Sequence, residues 1–332
     1  MALTAWAQAQ PNIALVKYWG KREGSLNLPA SGSLSITLDS LWTRTRVVFD
    51  PSLACDELLL DGTRHPAALA RTSACLDLLR TRAGSHLHAR VDSHNNFPTG
   101  AGLASSASGF AALVLAGSAA LGLALERREL SMLARQGSGS AARSIFGGFV
   151  RMAAGTRADG EDAFATPVLD AEQWPLRVVV AVTSTRSKAV GSGAGMELSR
   201  RTSPFHAAWL AGADADLAAA RRALEHRDFA ELGAISEHSC LKMHAVMLAS
   251  RPALVYWNAA TVECMHAIRA LRERDGVPVF FTIDAGPQVK AVCLPDAAPA
   301  VAAMLGSIAG VEQVVTSSLG AGARLLNDAE VG

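Results

Sequence analysis

Hydrophobic and polar positions change rhythm along the chain. From Ala30 to Leu38, "ASGSLSITL", they alternate strictly, with Ser31, Ser33, Ser35 and Thr37 on one face and Leu34, Ile36 and Leu38 on the other. A period of two with one apolar face predicts a half-buried strand. Thr43–Asp50, "TRTRVVFD", reads as its hairpin partner. "ELLLDGTRH" reads as a hairpin about an Asp-Gly turn, and "SHLHARVDS" as a strand with His86 and His88 on one face. Between them "PAALARTSACLDLLRTRAG" predicts a helix stopped by Gly84. Leu130 to Gln136 is helical, "GSGS" breaks the helix, "AARSIF" resumes it, and "FGGFVRM" reads as a strand.

Leu176–Ser184, "LRVVVAVTS", is a near-continuous β-branched run, the mark of a buried strand. The pattern then becomes mainly helical, including a helix capped by Asp228. "VPVFFTIDAGPQVKAVCL" gives two strands about an Ala-Gly-Pro turn, and "VEQVVTSSLGAGARLL" one closing strand. Strands dominate before about residue 95 and helices after about residue 195. That segregation predicts an α+β fold rather than a doubly wound parallel sheet. A soft boundary near Ser184 divides the chain into 1–184 and 185–332.

From Ser93 to Leu125 there is no Asp, Glu, Lys or Arg. The second half of this stretch is built of small residues with Ser throughout. At roughly 17 to 20 residues it borders on the length of a membrane span, but a helix apolar on all sides reads better as a buried central helix. "MALTAWAQAQPNIALVKYWG" has neither the basic start nor the apolar run of a signal peptide. With 332 residues, 50% hydrophobic and 18% charged, the composition is that of a globular protein of two domains or one large one. A net charge of +1 provides no global field for nucleic acid or an anionic membrane surface, so anion recognition must be local. Five scattered Cys, with no CxxC, read as reduced residues of a cytoplasmic protein.

Four stretches carry candidate chemistry. In "NNFPTGAGLASSASGF", Gly100 and Gly102 allow a path that points successive N–H groups inward, and Ser105 and Ser106 open a helix whose N-terminus suits a phosphate. A tightly packed small-residue helix would have the same composition. The Walker Lys and the third Gly of a dinucleotide fingerprint are both missing. "PNIALVKYWGKR" sets Lys17, Lys21 and Arg22 about Tyr18 and Trp19, either as ordinary surface cations or as a cationic wall for a phosphorylated ligand. In "RQGSGSAARS", Ser138, Ser140 and Arg143 mark a helix joint that also suits capture of a carboxylate or phosphate. Asp284 in "FFTIDAGPQV" either caps a turn or stands as a general base at a strand end. No metal-binding spacing appears among the nine His, which read as structural.

Taken together and in order, "NIALVKYWGKR", "NLPASGSLSITL", "PTGAGLASSA", "GSGSAARS", "MHAVMLASRPALVYWN" and "TIDAGP" resemble the diphosphomevalonate decarboxylase family of the GHMP kinase superfamily over nearly the whole chain. The resemblance implies an N-terminal part like the second domain of ribosomal protein S5, a C-terminal ferredoxin-like part, and an active site between them. It implies ATP and Mg²⁺ as cofactors and mevalonate 5-diphosphate as substrate. The 3-hydroxyl would be phosphorylated, then phosphate and carbon dioxide lost, giving isopentenyl diphosphate for isoprenoid biosynthesis.

Residue by residue, it implies that Gly102, Leu103, Ala104, Ser105 and Ser106, with Gly100, cradle the ATP phosphates; Ser106 is the candidate for Mg²⁺, with Ser105 or a plain helix cap as the alternatives. Asp284 is the base, with Lys17 beside it. Arg143, near Ser138 and Ser140, holds the substrate carboxylate. Tyr18 and Lys21 meet the diphosphate end, with Ser192 near the substrate. Ala142 stands where the family often has Cys, "ASGSLS" where it often has "INSSLS", and "STRSK" matches only loosely. Relatives acting on mevalonate or its monophosphate, as kinases or decarboxylases, are the alternative reading, and a non-catalytic ligand-binding regulator the more distant one. A homodimer is the expected assembly.

Overall fold

The computed structural model describes residues 2–97 and 102–331. The alternating segments assemble into sheets whose apolar faces demand cover. The largest has six strands, in the order Arg324–Leu326, Leu3–Ala9, Thr43–Phe49, Ala89–Asn95, Glu57–Leu60 and Thr63–Arg64. In Thr43–Phe49 every second residue is buried, as a one-sided strand requires. The helix Ser105–Ala120, buried along most of its length, packs on this sheet. Its lack of charge is thus a consequence of central burial, and no helix among the described residues is long and apolar enough to cross a membrane.

A second sheet orders Ala165–Leu169, Phe149–Met152, Ser33–Thr37 and Asn12–Val16. A third orders Val279–Ile283, Val289–Cys293, Arg177–Val182 and Gln313–Ser318, all antiparallel. One apolar core joins these two sheets: Ile13, Leu15, Leu34, Ile36 and Phe149 from the former meet Val178, Val180, Phe280 and Val292 from the latter. Each such side chain, fully buried, contributes roughly 1.5–3 kcal/mol. Two hydrogen bonds cross the same seam, from the Lys17 N–H to Ser239 Oγ (3.0 Å) and from Thr282 Oγ1 to the Ala14 carbonyl (3.1 Å). The halves are therefore docked across a shared core.

Several local expectations hold. Asp61 and Gly62 both have positive φ, as a two-residue hairpin turn needs. Helix Pro66–Ala83 ends on left-handed Gly84, and Asp228 accepts from the Glu231 N–H at the start of Phe229–Leu248. Others are corrected. Ser33–Thr37 is buried on both faces, because its hydroxyl face turns into the protein rather than to solvent. Thr43–Phe49 pairs with Leu3–Ala9 and Ala89–Asn95 in a different sheet, so it is not the hairpin partner of Ser33–Thr37. His86 and His88 precede the strand that begins at Ala89. The last apolar stretch forms two strands, and the second, Arg324–Leu326, crosses back to pair with Leu3–Ala9.

Candidate active site

A cleft of about 530 Å³ opens where the three sheets approach one another. One wall is the entry to helix Ser105–Ala120. Gly102 (φ +84°) and Ala104 (φ 58°) turn the backbone left-handed just ahead of the first turn. Successive N–H groups in such a path form an anion-binding concavity. A left-handed alanine costs on the order of 1–3 kcal/mol and persists only where its surroundings hold it. Here the holding residue is Leu103, 3% exposed and sunk in the shared core. The helix carries no acidic residue in its first turn, so the positive end of its dipole is not offset from within. Ser106 Oγ lies 3.5 Å from Ser138 Oγ, which lies 3.4 Å from Ser140 Oγ. These spacings exceed a good hydroxyl hydrogen bond, leaving the cluster disposed toward a stronger acceptor. Gly100 lies outside the described residues.

The opposite wall is charged. Asp284 ends the strand Val279–Ile283, and its Oδ1 receives the Lys17 ammonium at 2.6 Å; Lys17 is 1% exposed and Asp284 25%. Lys290 Nζ, fully buried, stands 3.6 Å from Asp284 Oδ2. Burial alone would raise the Asp284 carboxyl, but Lys17, Lys290 and Arg143 outweigh it and hold the group at about 2. Lys188 Nζ donates to Ser192 Oγ (2.8 Å) and to the Ala285 carbonyl (3.0 Å). Its burial depresses it to about 8, opposed by Asp284 and aided by Lys290. Asp284 Oδ2 is buried with no hydrogen-bond partner among the described residues.

Arg143, 3% exposed, is held by the hydroxyl face of the buried strand. Its Nε donates to Ser35 Oγ (3.0 Å) and Asn12 Oδ1 (3.2 Å), and its Nη1 to Ser33 Oγ (2.6 Å). Asn12 in turn donates to Ser144 Oγ (2.8 Å) and the Ser140 carbonyl (3.0 Å), so it orients Arg143 and the "GSGS" joint together. Burial pushes the guanidinium down to about 10, against the pull of Asp284. The Tyr18 hydroxyl lies over Gly139, where a Cβ would come within 2.5 Å of it. This hydroxyl is buried without a partner among the described residues, and burial pushes it up to about 12 despite Arg143 and Arg135.

Lys17, Tyr18, Lys21, Gly102, Ala104, Ser105, Ser106, Ser138, Ser140, Arg143, Ser192 and Asp284 thus line one cleft, with Leu103 behind it. Arg22 does not join them; it points away and donates to the Arg157 carbonyl. Trp19 is fully buried, its indole N–H bonded to Ser199 Oγ. Sequence reasoning missed Asn12, Lys188 and Lys290. Two of these had a signal: a lone polar residue in an otherwise apolar strand, as in "PNIALV" and "QVKAVCL". It also missed an arm of the cleft lined by Leu58, Leu60, Val91, Phe110 and Leu113, with Arg71 and His65 at its side.

Comparison with known proteins agrees along nearly the whole length. Residues 9–165 match the family model described as diphosphomevalonate decarboxylase-like N-terminal domain, and 178–325 match mevalonate 5-diphosphate decarboxylase C-terminal domain. The chain is 39% identical over 325 residues to diphosphomevalonate decarboxylase from Aspergillus fumigatus, covering 92% of this chain and 80% of that one. Among solved structures it is similar to mevalonate diphosphate decarboxylase from Staphylococcus aureus, with TM-score 0.92, 37% identity and coverage of 98% and 99%. It is also similar to MDDEF in complex with MVAPP, AMPPCP and magnesium, with TM-score 0.91, 38% identity and coverage of 98% and 100%.

Proposed function

The chain belongs to the diphosphomevalonate decarboxylase family, and from this we infer that it is an ATP-dependent decarboxylase of mevalonate 5-diphosphate, built on the GHMP kinase fold. The observation that carries the reading is the meeting in one cleft of a left-handed phosphate loop at a helix N-terminus and a carboxylate flanked by buried cations. The γ-phosphoryl group of ATP passes to the tertiary 3-hydroxyl. The 3-phosphate then leaves as the C1 carboxylate departs as carbon dioxide, yielding isopentenyl diphosphate, ADP and phosphate.

Asp284 is our candidate for the group that takes the hydroxyl proton. Held at about 2, it binds a proton weakly. It therefore suits a loose phosphoryl transfer, in which the hydroxyl becomes acidic only as its oxygen gains the bond to phosphorus. Lys17 fixes the carboxylate and, with Lys188, sets positive charge beside the transferred group. The bonds of Arg143 described above engage Nε and one N–H of Nη1, so Nη2 and the second N–H of Nη1 can form the fork toward the substrate carboxylate beside Ser138 and Ser140. Tyr18 and Lys21 suit the diphosphate, with Ser192 near the substrate; the Tyr18 hydroxyl, buried without a hydrogen-bond partner among the described residues, supports this. As phosphate leaves, positive charge grows at C3, and a preorganised carboxylate such as Asp284 stabilises it.

The N–H groups from Gly102 to Ser106 suit the ATP phosphates, and the apolar arm suits the base of the nucleotide. No group of three His, Cys, Asp or Glu among the described residues is arranged to hold a metal. Mg²⁺ still fits, because it is held largely by phosphate oxygens and water with one or two protein ligands; Ser106, in its hydroxyl cluster, is the candidate. When bound, Mg²⁺ neutralises charge on the β- and γ-phosphate oxygens.

We further propose a cytoplasmic homodimer with two domains in each chain. The break in family matches between 165 and 178, and the pairing of Arg177–Val182, favour a boundary ahead of that strand rather than at Ser184. The test of function is ADP release measured with carbon dioxide capture on mevalonate, its 5-phosphate and its 5-diphosphate. Equal yields of both products from the diphosphate are expected. ADP without carbon dioxide would make the enzyme a 3-kinase, and turnover confined to mevalonate or its monophosphate would move the substrate.

A further inference from the structure

Lys290 does not line the cleft, yet it touches both of its walls. It is the second residue of the strand Val289–Cys293, opposite Val180 on one side and Thr282 on the other, and is fully buried. Isolated burial of an ammonium is strongly unfavourable, so its partners must be specific. Its Nζ donates to the Gly102 carbonyl at 3.1 Å and stands 3.6 Å from Asp284 Oδ2. The second distance is an ion pair without a hydrogen bond. The first binds the opening residue of the phosphate loop. Gly102 is itself seated on the turn after Asp284, since a Cβ there would lie 3.1 Å from Gly286 Cα. Lys290 is thus a clamp between a loop from the N-terminal half and a carboxylate from the C-terminal half.

We propose that Lys290 is a positioning residue that couples the phosphate loop to Asp284, so that nucleotide binding and placement of the carboxylate depend on each other. This rests on the functional reading above. Removing the ammonium frees the Gly102 carbonyl and leaves Asp284 to Lys17 alone on that side. Nucleotide affinity then falls with the loop, and turnover falls with the carboxylate, while the diphosphate end, held by other residues, is untouched.

The experiment compares wild type with Lys290→Met, which keeps length and apolar bulk, and Lys290→Arg, which keeps the charge. Binding of Mg²⁺–AMPPCP and, separately, of mevalonate 5-diphosphate is measured by calorimetry, and kcat by ADP release. For Lys290→Met we expect nucleotide affinity to fall on the order of tenfold, in line with loss of a charged hydrogen bond. Substrate affinity should change less than about twofold, kcat should fall, and Lys290→Arg should recover part of both losses. Unchanged nucleotide affinity in Lys290→Met, or equal weakening of both ligands, overturns the proposal. If Lys290→Met does not fold, Lys290→Gln, one bond shorter and uncharged, should likewise lower nucleotide affinity and kcat while leaving substrate affinity nearly unchanged; loss of neither overturns the proposal. Because nucleotide binding is read without turnover, failure of the wild type to decarboxylate would count against the functional reading and not against the clamp.

Discussion

The two walls of the cleft manage negative charge by opposite means. On one, Asp284 is a permanent anion with its own counter-ions, Lys17 and Lys290, within 2.6 Å and 3.6 Å. On the other, from Gly102 to Ser106, there is no charged side chain at all, only backbone dipoles and hydroxyls. The charged wall is electrostatically complete before any ligand arrives. The uncharged wall, on the proposed function, is complete only when a phosphate supplies the charge. A substitution on the first therefore strands buried ions, whereas a substitution on the second removes one donor among several. The expected effects are graded accordingly.

The largest belongs to Asp284→Asn. Turnover should fall by about three orders of magnitude or more, with substrate affinity nearly unchanged, because the contribution is made in the transition state. Near-normal kcat in a folded variant would remove Asp284 from the chemistry. Next is Arg143→Lys. A lysine cannot reproduce the three bonds to Ser33, Ser35 and Asn12 while also presenting a planar fork, so kcat/KM should drop about a hundredfold. Unaltered kinetics would show that the fork is not used.

Lys188 sharpens the contrast through pH. Depressed by burial to about 8, it loses its charge where an ordinary lysine keeps it. If that charge serves the ligand, kcat/KM should fall about tenfold per unit above pH ~8. Lys188→Arg should shift that limb upward, and an unmoved limb would clear Lys188 of the role. Stability runs the other way. Between about 8 and the ordinary 10.5 the unfolded chain holds a proton that the folded chain has released, so this lysine makes the fold gain stability as pH rises. One proton thus gives activity and unfolding curves of opposite slope. The smallest effect belongs to the uncharged wall: Ser106→Ala should raise the KM for Mg²⁺–ATP by roughly two- to tenfold, the range of a single neutral hydrogen bond. A hundredfold change would mean that Ser106 carries far more than one donor.

Much of this was legible in the sequence because local rules decide it. The Asp-Gly hairpin, the Gly84 stop, the Asp228 cap and the buried helix from Ser105 depend on neighbours a few residues away. Strand partnership depends on the whole chain, and local pattern does not carry it: Thr43–Phe49 pairs with Leu3–Ala9 and Ala89–Asn95 rather than with Ser33–Thr37, and Arg324–Leu326 returns to the first strand. The site divides similarly. Motif residues were found, but Asn12 and Lys290 act through partners more than 100 residues away. Two buried arginines show why burial alone is no guide. Arg135 donates to the carbonyls of Leu26, Gly160 and Ala163 and braces backbone, whereas Arg143, eight positions on, meets hydroxyls at the cleft.

The strand Arg324–Leu326 pairs with Leu3–Ala9 from about 320 residues away. The edge of the N-terminal sheet is therefore unprotected until the C-terminal half has been made, threaded and docked. During synthesis, Leu3–Ala9 is an open edge, the kind of surface that recruits strands from other chains. Contacts this distant in sequence also slow folding, since a long loop must close before they form. The feature that ties the finished molecule together is thus the one that leaves its early half exposed, and substitutions along that edge are the ones expected to act on the nascent chain before they act on the finished fold.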